Sequence, residues 1–455
     1  MANFILLLAI LCFHSAYSKS APEIYKQFDW INFTFSDPIV ASQYVSQEEY
    51  KNCMPAGIKV NSNEDVFVSI PRWKGCWPAT LNMLFYDKSI NKTLFQPFPS
   101  FEGNEINKSY ALQSVLGFEI DLDDNIWALD QGRVNNVAIE GGMKLNKYSK
   151  NGTLIDHFDL SNVTYPEYSF LNDLVLDSTG KFIYITDSGI PINTSNPLRP
   201  ALIVINLANR QIVRVLENDT SVMPDQSLWI TINHQRVNQD SPMETGADGI
   251  ALSCDKKTLY YTPLTSRTLY AINTKVLQTA TSQSNLSEYV IKLGYKLSAS
   301  DGLICSQNGH MYLTALELNA VLFQSDITPN AENFQFNVFS PIVNSSKLIW
   351  PDTLGFNNVG KELFIVANQL QNFMAGTINF TNPLNGDSNF YIWKVYVNDR
   401  SYLEDCITSS SGGDEDKFPV WAIVLVVVVV LVVVIIAVCA VRNYMQARKK
   451  RKTFL

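Results

Sequence analysis

The chain predicts an all-β fold, a six-bladed β-propeller, followed by one C-terminal transmembrane helix. Three observations lead there. One hairpin pattern recurs six times, amphipathic helical periodicity is scarce between the two ends, and one long unbroken apolar segment stands close to the C-terminus.

Taken in order, the 455 residues begin with the apolar run FILLLAILCF (Phe4 to Phe13), which has signal-peptide length. Ala16 and Ser18 follow as the small residues a signal peptidase needs, so residues 1–18 are expected to be a signal peptide. Residues 24–403 carry the hairpins and are expected to be the propeller. The pattern is a small or polar residue, two or three apolar positions, a polar turn and an apolar strand. It appears as GIKVNSNEDVFVSIP from Gly57, GFEIDLDDNIWALDQG from Gly117 and DLVLDSTGKFIYITDSG from Asp173. It returns as DGIALSCDKKTLYYTP from Asp248, DGLICSQNGHMYLTA from Asp301 and DTLGFNNVGKELFIVAN from Asp352. The spacing, roughly 50 to 75 residues, suits one four-stranded blade per copy, and a closed ring leaves only short edges. A polar stalk, 404–419, leads into 420–441, long enough for the ~20 residues that cross a bilayer. The tail 442–455 holds Arg442, Arg448, Lys449, Lys450, Arg451 and Lys452, whereas Asp414, Glu415 and Asp416 precede the apolar run. Basic flanks belong in the cytosol. The expected protein is therefore single-pass and type I, with its ectodomain extracellular or lumenal, its C-terminus cytosolic, and the membrane engaged through one helix.

Ten N-x-S/T sequons lie between the two apolar segments, at Asn32, Asn91, Asn107, Asn151, Asn162, Asn193, Asn218, Asn285, Asn344 and Asn379. That placement suits a glycosylated lumenal region. The chain has 43 acidic against 35 basic residues, net −8 despite the basic tail, so the ectodomain is acidic. Nucleic acid is excluded as a partner on charge, whereas a cationic small ligand or a metal ion is favoured. With Cys12 in the signal peptide and Cys439 in the membrane segment, five cysteines remain in an oxidising compartment. Cys53 and Cys76 flank the first hairpin, and Cys254 and Cys305 sit on neighbouring inner strands. Bridges Cys53–Cys76 and Cys254–Cys305 are expected, leaving Cys406 free for a disulfide-linked homodimer.

Overlaying the copies shows where chemistry concentrates. The position before the first strand holds Ala56 and Leu116, then Asp173, Asp248, Asp301 and Asp352. Inner strands line a propeller's channel, so these four carboxylates should crowd one mouth. Because each hairpin turns back, Asp130, Asp187 and Asn368 should return to the same end. A single Asp there caps its own turn; four need a cation, water or protonation to offset their repulsion. Asp352, Thr353 and Asn368 bracket the last hairpin and make a candidate ligand pocket. His157, His234 and His310 fall between hairpins or in a turn. HExxH, GxSxG, Walker A and CxxC patterns are absent, against a zincin, an α/β-hydrolase, a P-loop enzyme or a thioredoxin-like site.

PRWKGCWPATL (Pro71 to Leu81), DNIWALDQG (Asp124 to Gly132), LYYTPLTSRTLYAINTKVL (Leu259 to Leu277) and WPDTL with ANQLQNF resemble the major royal jelly and insect yellow protein family, over roughly residues 50 to 375. The resemblance implies a secreted six-bladed propeller, and relatives that act on dopachrome in the melanin pathway, bind biogenic amines in saliva, or serve as storage proteins. The membrane anchor departs from that pattern. In the amine binders a Thr and an Asn contact the ligand's amine; they correspond to Thr353 and Asn368, whereas the aromatic expected two residues later is Leu370. Asn172-Asp173 and Asp248-Gly249 also resemble calcium-dependent lactonases of the gluconolactonase type. That likeness makes Asn172, Asp173 and Asp248 candidate metal ligands and calcium the candidate cofactor, although Leu116-Gly117 stands where that family has Glu-Gly-Pro. No catalytic residue is assigned. Two readings stay open: a membrane-anchored propeller that binds a small, amine-like ligand or a partner at its mouth, or an enzyme of the dopachrome-converting or lactonase type.

Overall fold

A polar side chain closes each inner hairpin on itself, and this is why the six copies fold alike. Asn61, Asp121, Asp177, Ser253, Ser306 and Asn357 each stand where the inner strand ends, and each accepts backbone N–H groups of its own turn. Such Asx and Ser turns replace ladder bonds that the chain gives up on reversing. The computed structural model describes residues 21–407, apart from 109, 178, 180, 194, 326–339, 382 and 384–386.

Strand β1 (Glu23–Phe28) comes first. Blade one holds β2 (Ile58–Val60), β3 (Val66–Ser69), β4 (Leu81–Asp87) and β5 (Lys92–Pro97). Blade two holds β6 (Val115–Ile120), β7 (Ile126–Val134), β8 (Val137–Tyr148) and β9 (Leu154–Asp159). Blade three holds β10 (Leu171–Leu176), β11 (Phe182–Asp187), β12 (Ala201–Asn206) and β13 (Ile212–Val215). A small hairpin, β14 (Thr231–Ile232) with β15 (Gln235–Arg236), precedes blade four, which is β16 (Ala247–Leu252), β17 (Thr258–Pro263), β18 (Thr268–Asn273) and β19 (Ile291–Tyr295). Blade five holds β20 (Leu303–Cys305), β21 (Met311–Ala315), β22 (Ala320–Gln324) and β23 (Ser340–Asn344). Blade six is β24 (Pro351–Asn357), β25 (Glu362–Ala367), β26 (Phe390–Tyr396) and, at its outer edge, β1.

The inner strands touch in the cycle β2, β6, β10, β16, β20, β24 and back to β2, so the ring is closed. β1 pairs antiparallel with β26, Glu23 opposite Lys394 and Phe28 opposite Phe390, which ties the N-terminus into the last blade. Blades pack face to face. β16 and β17 are therefore buried along their whole length, and their sequences, ADGIAL and TLYYTP, lack the alternation of a strand with one wet face. Side chains at one repeated position then stitch blade to blade. Gln131 donates to Leu171 O (3.0 Å), Ser188 to Ala247 O (2.7 Å) and Asn368 to Pro55 O (2.9 Å).

The Cys53–Cys76 bridge is present. The other pairing differs from expectation: Cys254 bonds to Cys406, and Cys305 is a buried free thiol. The reason is the path of the chain after β26. It runs back beneath the channel, where Tyr402 N donates to Cys305 O and Tyr402 OH to Glu119 Oε2, and this return brings Cys406 to Cys254. An intramolecular bridge uses up Cys406, so the Cys406-linked homodimer is withdrawn. Residues 1–18, 420–441 and 442–455, expected as signal peptide, membrane helix and tail, lie outside the described residues, as does most of the stalk. Among the described residues no helix is long and apolar enough to cross a membrane.

Candidate functional site

Ladder register sets the chemistry of the channel mouth. The inner strands of blades two, three, four and six each carry a β-bulge at the mouth end, between Val115 and Phe118, Leu171 and Leu174, Ala247 and Ile250, and Pro351 and Leu354. A bulge re-aims side chains. Counting from the paired residues, Leu116, Asn172, Asp248 and Asp352 are equivalent, and Asp301 holds that place in blade five, where its N–H donates to Thr314 Oγ1 (2.9 Å). This corrects the expected overlay. Asn172, not Asp173, matches the other three aspartates, and Asp173 stands one residue further on, where blades two, four and five have Gly117, Gly249 and Gly302. Thr353 shares that place. A Cβ built on Gly117 would lie 2.8 Å from Asp173 Oδ1, so the glycine of blade two makes the room that the Asp173 carboxylate occupies.

The buried acids form two hydrogen-bonded groups, one around Asp248 and Asp301 and one around Asp352, which are coupled by charge. Asn172 Nδ2 donates to Asp248 Oδ2 (2.7 Å) and to Ser188 Oγ (3.1 Å). Asp248 and Asp301 act on one another carboxyl to carboxyl, and both are pushed toward the protonated form. Trp350 Nε1 donates to Asp301 Oδ2 (2.6 Å) from a backbone at φ +52°, a costly conformation for a large side chain. Asn368 Nδ2 donates to Asp352 Oδ2 (2.6 Å), and Thr353 Oγ1 donates to Asp352 Oδ1 (2.9 Å). Burial first, then mutual repulsion, pushes Asp248, Asp301 and Asp352 well above the ordinary carboxylate range. The expected repulsion is thus relieved by protonation, and also by a lysine that the repeat pattern did not reveal. Lys296, in the loop before blade five, donates to Thr262 Oγ1 (2.6 Å) and faces Asp248 and Asp301. Burial lowers its pKa to about 7, against the pull of the two carboxylates.

Asp173 and Thr353 are the half-buried members. Asp173 keeps part of its surface exposed, yet protein surrounds its carboxyl, and that desolvation raises its pKa to about 6. Lys59 and the Leu174 N–H (2.8 Å from Oδ1) pull it down, and Glu119 pushes it up. Deeper in the channel Lys59 Nζ lies 3.5 Å from Glu119 Oε2 and donates to Leu354 O (3.2 Å).

The other expected mouth residues have different employment. Asp130 does return to the same end, but it is fully buried, with Lys144 Nζ at 3.0 Å and N–H donors from Gln113, Ser114 and Gly132. Asp187 accepts from Phe170 N, Gly189 N and Arg214 Nη1 (2.7 Å). Both brace their blades and stand apart from those two groups of acids. Asn368 is also fully engaged, since its Oδ1 accepts from Leu370 N (3.1 Å) besides its two donations. His157 and His310 bond to Asn146 and Asp399, away from the mouth. A calcium ion does not suit this donor set: Leu116 stands at the position of Asn172 in blade two, Asn172 presents its amide N–H to Asp248, and an ammonium faces the aspartates. Among the described residues no group of three or more His, Cys, Asp or Glu is arranged to hold a metal.

A closed six-bladed propeller with buried acids at one mouth of its channel defines the class. The chain belongs to the major royal jelly protein family, whose family model matches residues 113–406. It is similar to the dopaminechrome tautomerase of Drosophila melanogaster, 25% identical over 407 residues, 84% of this chain and 83% of that one. It is also similar to major royal jelly protein 1 of Apis mellifera, 24% identical over 428 residues, 88% of this chain and 92% of that one. Among solved structures, the calcium-binding protein regucalcin of Agrobacterium tumefaciens aligns over 79% of this chain and 96% of its own, with a TM-score of 0.46 and 12% identity.

Proposed function

We propose that the channel mouth binds a small cationic ring compound and moves a proton on it, as a tautomerase of aminochrome-type substrates. The observation that carries this reading is the separation of roles among neighbouring carboxyls. Asp248 and Asp301, fully enclosed, are pushed well above the ordinary carboxylate range and favour the protonated form, whereas half-buried Asp173 is raised only to about 6 and stays ionised at neutral pH. Acid and base side by side are what an isomerisation needs. Asp173 takes a proton from the ring carbon next to the iminium. Its electron pair moves into the ring, and the quinone oxygen receives a proton from the Asp248–Asp301 pair, which Lys296 helps to recharge. No atom is gained or lost overall. Similarity to a dopaminechrome tautomerase over most of both chains supports the choice of substrate class.

Full-length protein mixed with freshly oxidised dopamine or dopa should speed the loss of aminochrome colour over buffer, with or without a calcium chelator. No acceleration with either substrate would remove the reading. Binding is its first half, and Thr353 is the clean probe of it. Thr353→Val removes one hydroxyl and its bond to Asp352 Oδ1 but no contact between blades, so affinity for an amine ligand should fall about tenfold, ~1.4 kcal/mol, in protein whose melting curve matches the parent. Asn368→Leu is unsuitable, because it would strand Pro55 O, Asp352 and the Leu370 N–H in the interior.

The apolar run 420–441 and its basic flank support membrane anchoring, with the propeller outside the cytosol. Nine of the ten sequon asparagines are exposed, Asn32 being half-buried, so their surroundings leave room for glycans. Removing N-glycans enzymatically should lower the apparent mass of the cellular protein on a gel. An unchanged band would contradict the lumenal placement.

A further inference from the structure

Arg133 is 4% exposed, and its guanidinium is only partly satisfied. Nη1 donates to Ile190 O (2.8 Å), while Nε and Nη2 have no partner among the described residues. Leaving such donors dry costs a few kcal/mol, so something should meet them. The surrounding charge points the same way. Asp187 and Glu217 are held by Arg214 at 2.7 and 2.5 Å, and Glu217 is also shared with Arg199. Three guanidiniums therefore face two carboxylates, and Arg133 is the one without a carboxylate of its own. Burial lowers its pKa to about 10, so it is still cationic at neutral pH.

Its place in the fold is at the mouth. Gly132, at φ +62°, makes a bulge in β7 between Gln131 and Arg133. Gln131 reaches Leu171 O, next to Asn172, and accepts from Trp73 Nε1 (2.9 Å). Ile190, which Arg133 holds, lies two residues beyond Ser188, the acceptor of the Asn172 amide. Trp73 and Phe170 stand here with ring centres 6.1 Å apart. The junction of blades two and three thus offers a cation and aromatic rings, while blades three to six offer the acids.

Resting on the proton-transfer reading of this mouth, we infer that Arg133 binds a carboxylate of the substrate, so that the site selects zwitterionic ring compounds over their decarboxylated amine counterparts. The acids meet the cationic nitrogen, and Arg133 meets the carboxylate on the carbon bonded to it. Charges paired on two neighbouring groups fix that edge of the ring beside Asp173.

The test compares L-dopa and dopamine, stable compounds that differ by the carboxylate, by calorimetry on the full-length protein. Wild type should bind L-dopa at least tenfold more tightly. Arg133→Gln should remove that preference, and Arg133→Lys should keep part of it, with melting curves recorded for each. Equal binding of the two compounds by wild type overturns the inference whether or not the variants fold. An Arg133→Gln protein that melts normally and keeps the preference overturns it too. Because binding is read, this outcome is independent of turnover: a protein that isomerises neither aminochrome yet prefers L-dopa through Arg133 would retain this inference and lose the tautomerase reading.

Discussion

Replacing Asp173 with Asn should lower kcat/KM on an aminochrome at least a hundredfold, since a positioned general base contributes about 10²–10⁴-fold. The Asn keeps the shape and still accepts the Leu174 N–H (2.8 Å), so the loss would come from basicity alone. In the parent, activity should rise as pH rises through about 6, because the base works only when ionised and Asp173 titrates there. The variant's residual rate should lack that step. A stability readout separates this from damage to the fold. A carboxyl whose folded pKa is raised holds its proton more tightly in the native state than in the unfolded one. It therefore costs the fold stability as pH rises from about 4 to about 6. Asp173→Asn escapes that cost and should melt at or above the parent at neutral pH. A variant that melts normally and retains full activity would assign the base elsewhere.

Removing the Cys254–Cys406 bridge should have the largest effect on stability. It closes a loop across 152 residues, and in the chain-entropy view a crosslink of that length is worth about 5 kcal/mol. The Cys254→Ser, Cys406→Ser double variant should unfold at clearly lower denaturant. The returning segment that places Tyr402 beneath the channel should loosen first, because the bridge and a few hydrogen bonds hold it there. Since the mouth lies at the other end of the inner strands, Thr353-dependent binding should survive in protein that remains folded. An unchanged unfolding midpoint would show that the segment is held without its bridge. Peptide mapping of the parent should give Cys254–Cys406, with Cys305 reactive only after denaturation, because burial pushes that thiol's pKa up.

What could be read in the sequence was local. The hairpins announced themselves because each inner strand ends in a side chain that caps its own turn, a signal spanning a few residues. The acid cluster was legible for Asp248, Asp301 and Asp352 because they share a ladder position. Asp173 was placed one residue out, since a bulge puts two residues opposite one and leaves no mark in hydrophobic alternation. Lys296 was missed because it stands in the loop before Asp301, outside the repeat unit, and becomes part of the site only when Thr262 of the neighbouring hairpin holds its ammonium. The partner of Cys254 was equally hidden, because nothing near Cys406 shows that the chain doubles back under the ring. Arg133 reads as an ordinary hairpin residue until the Gly132 bulge turns it toward Ile190.

The pairing of Glu23–Phe28 with Phe390–Tyr396 has a consequence for biosynthesis. The ribosome releases the first of these strands long before the second exists, so the N-terminal segment must wait, unpaired, while five blades are translated. Contacts of such long sequence separation form late and slow folding. Until then β26 presents an open edge, the kind of template on which another chain can add. Proteolytic trimming that reached past the expected leader into Glu23–Phe28 would make that exposure permanent. A few residues of over-processing would leave the inner ring closed but blade six one strand short, with β26 as its outer edge.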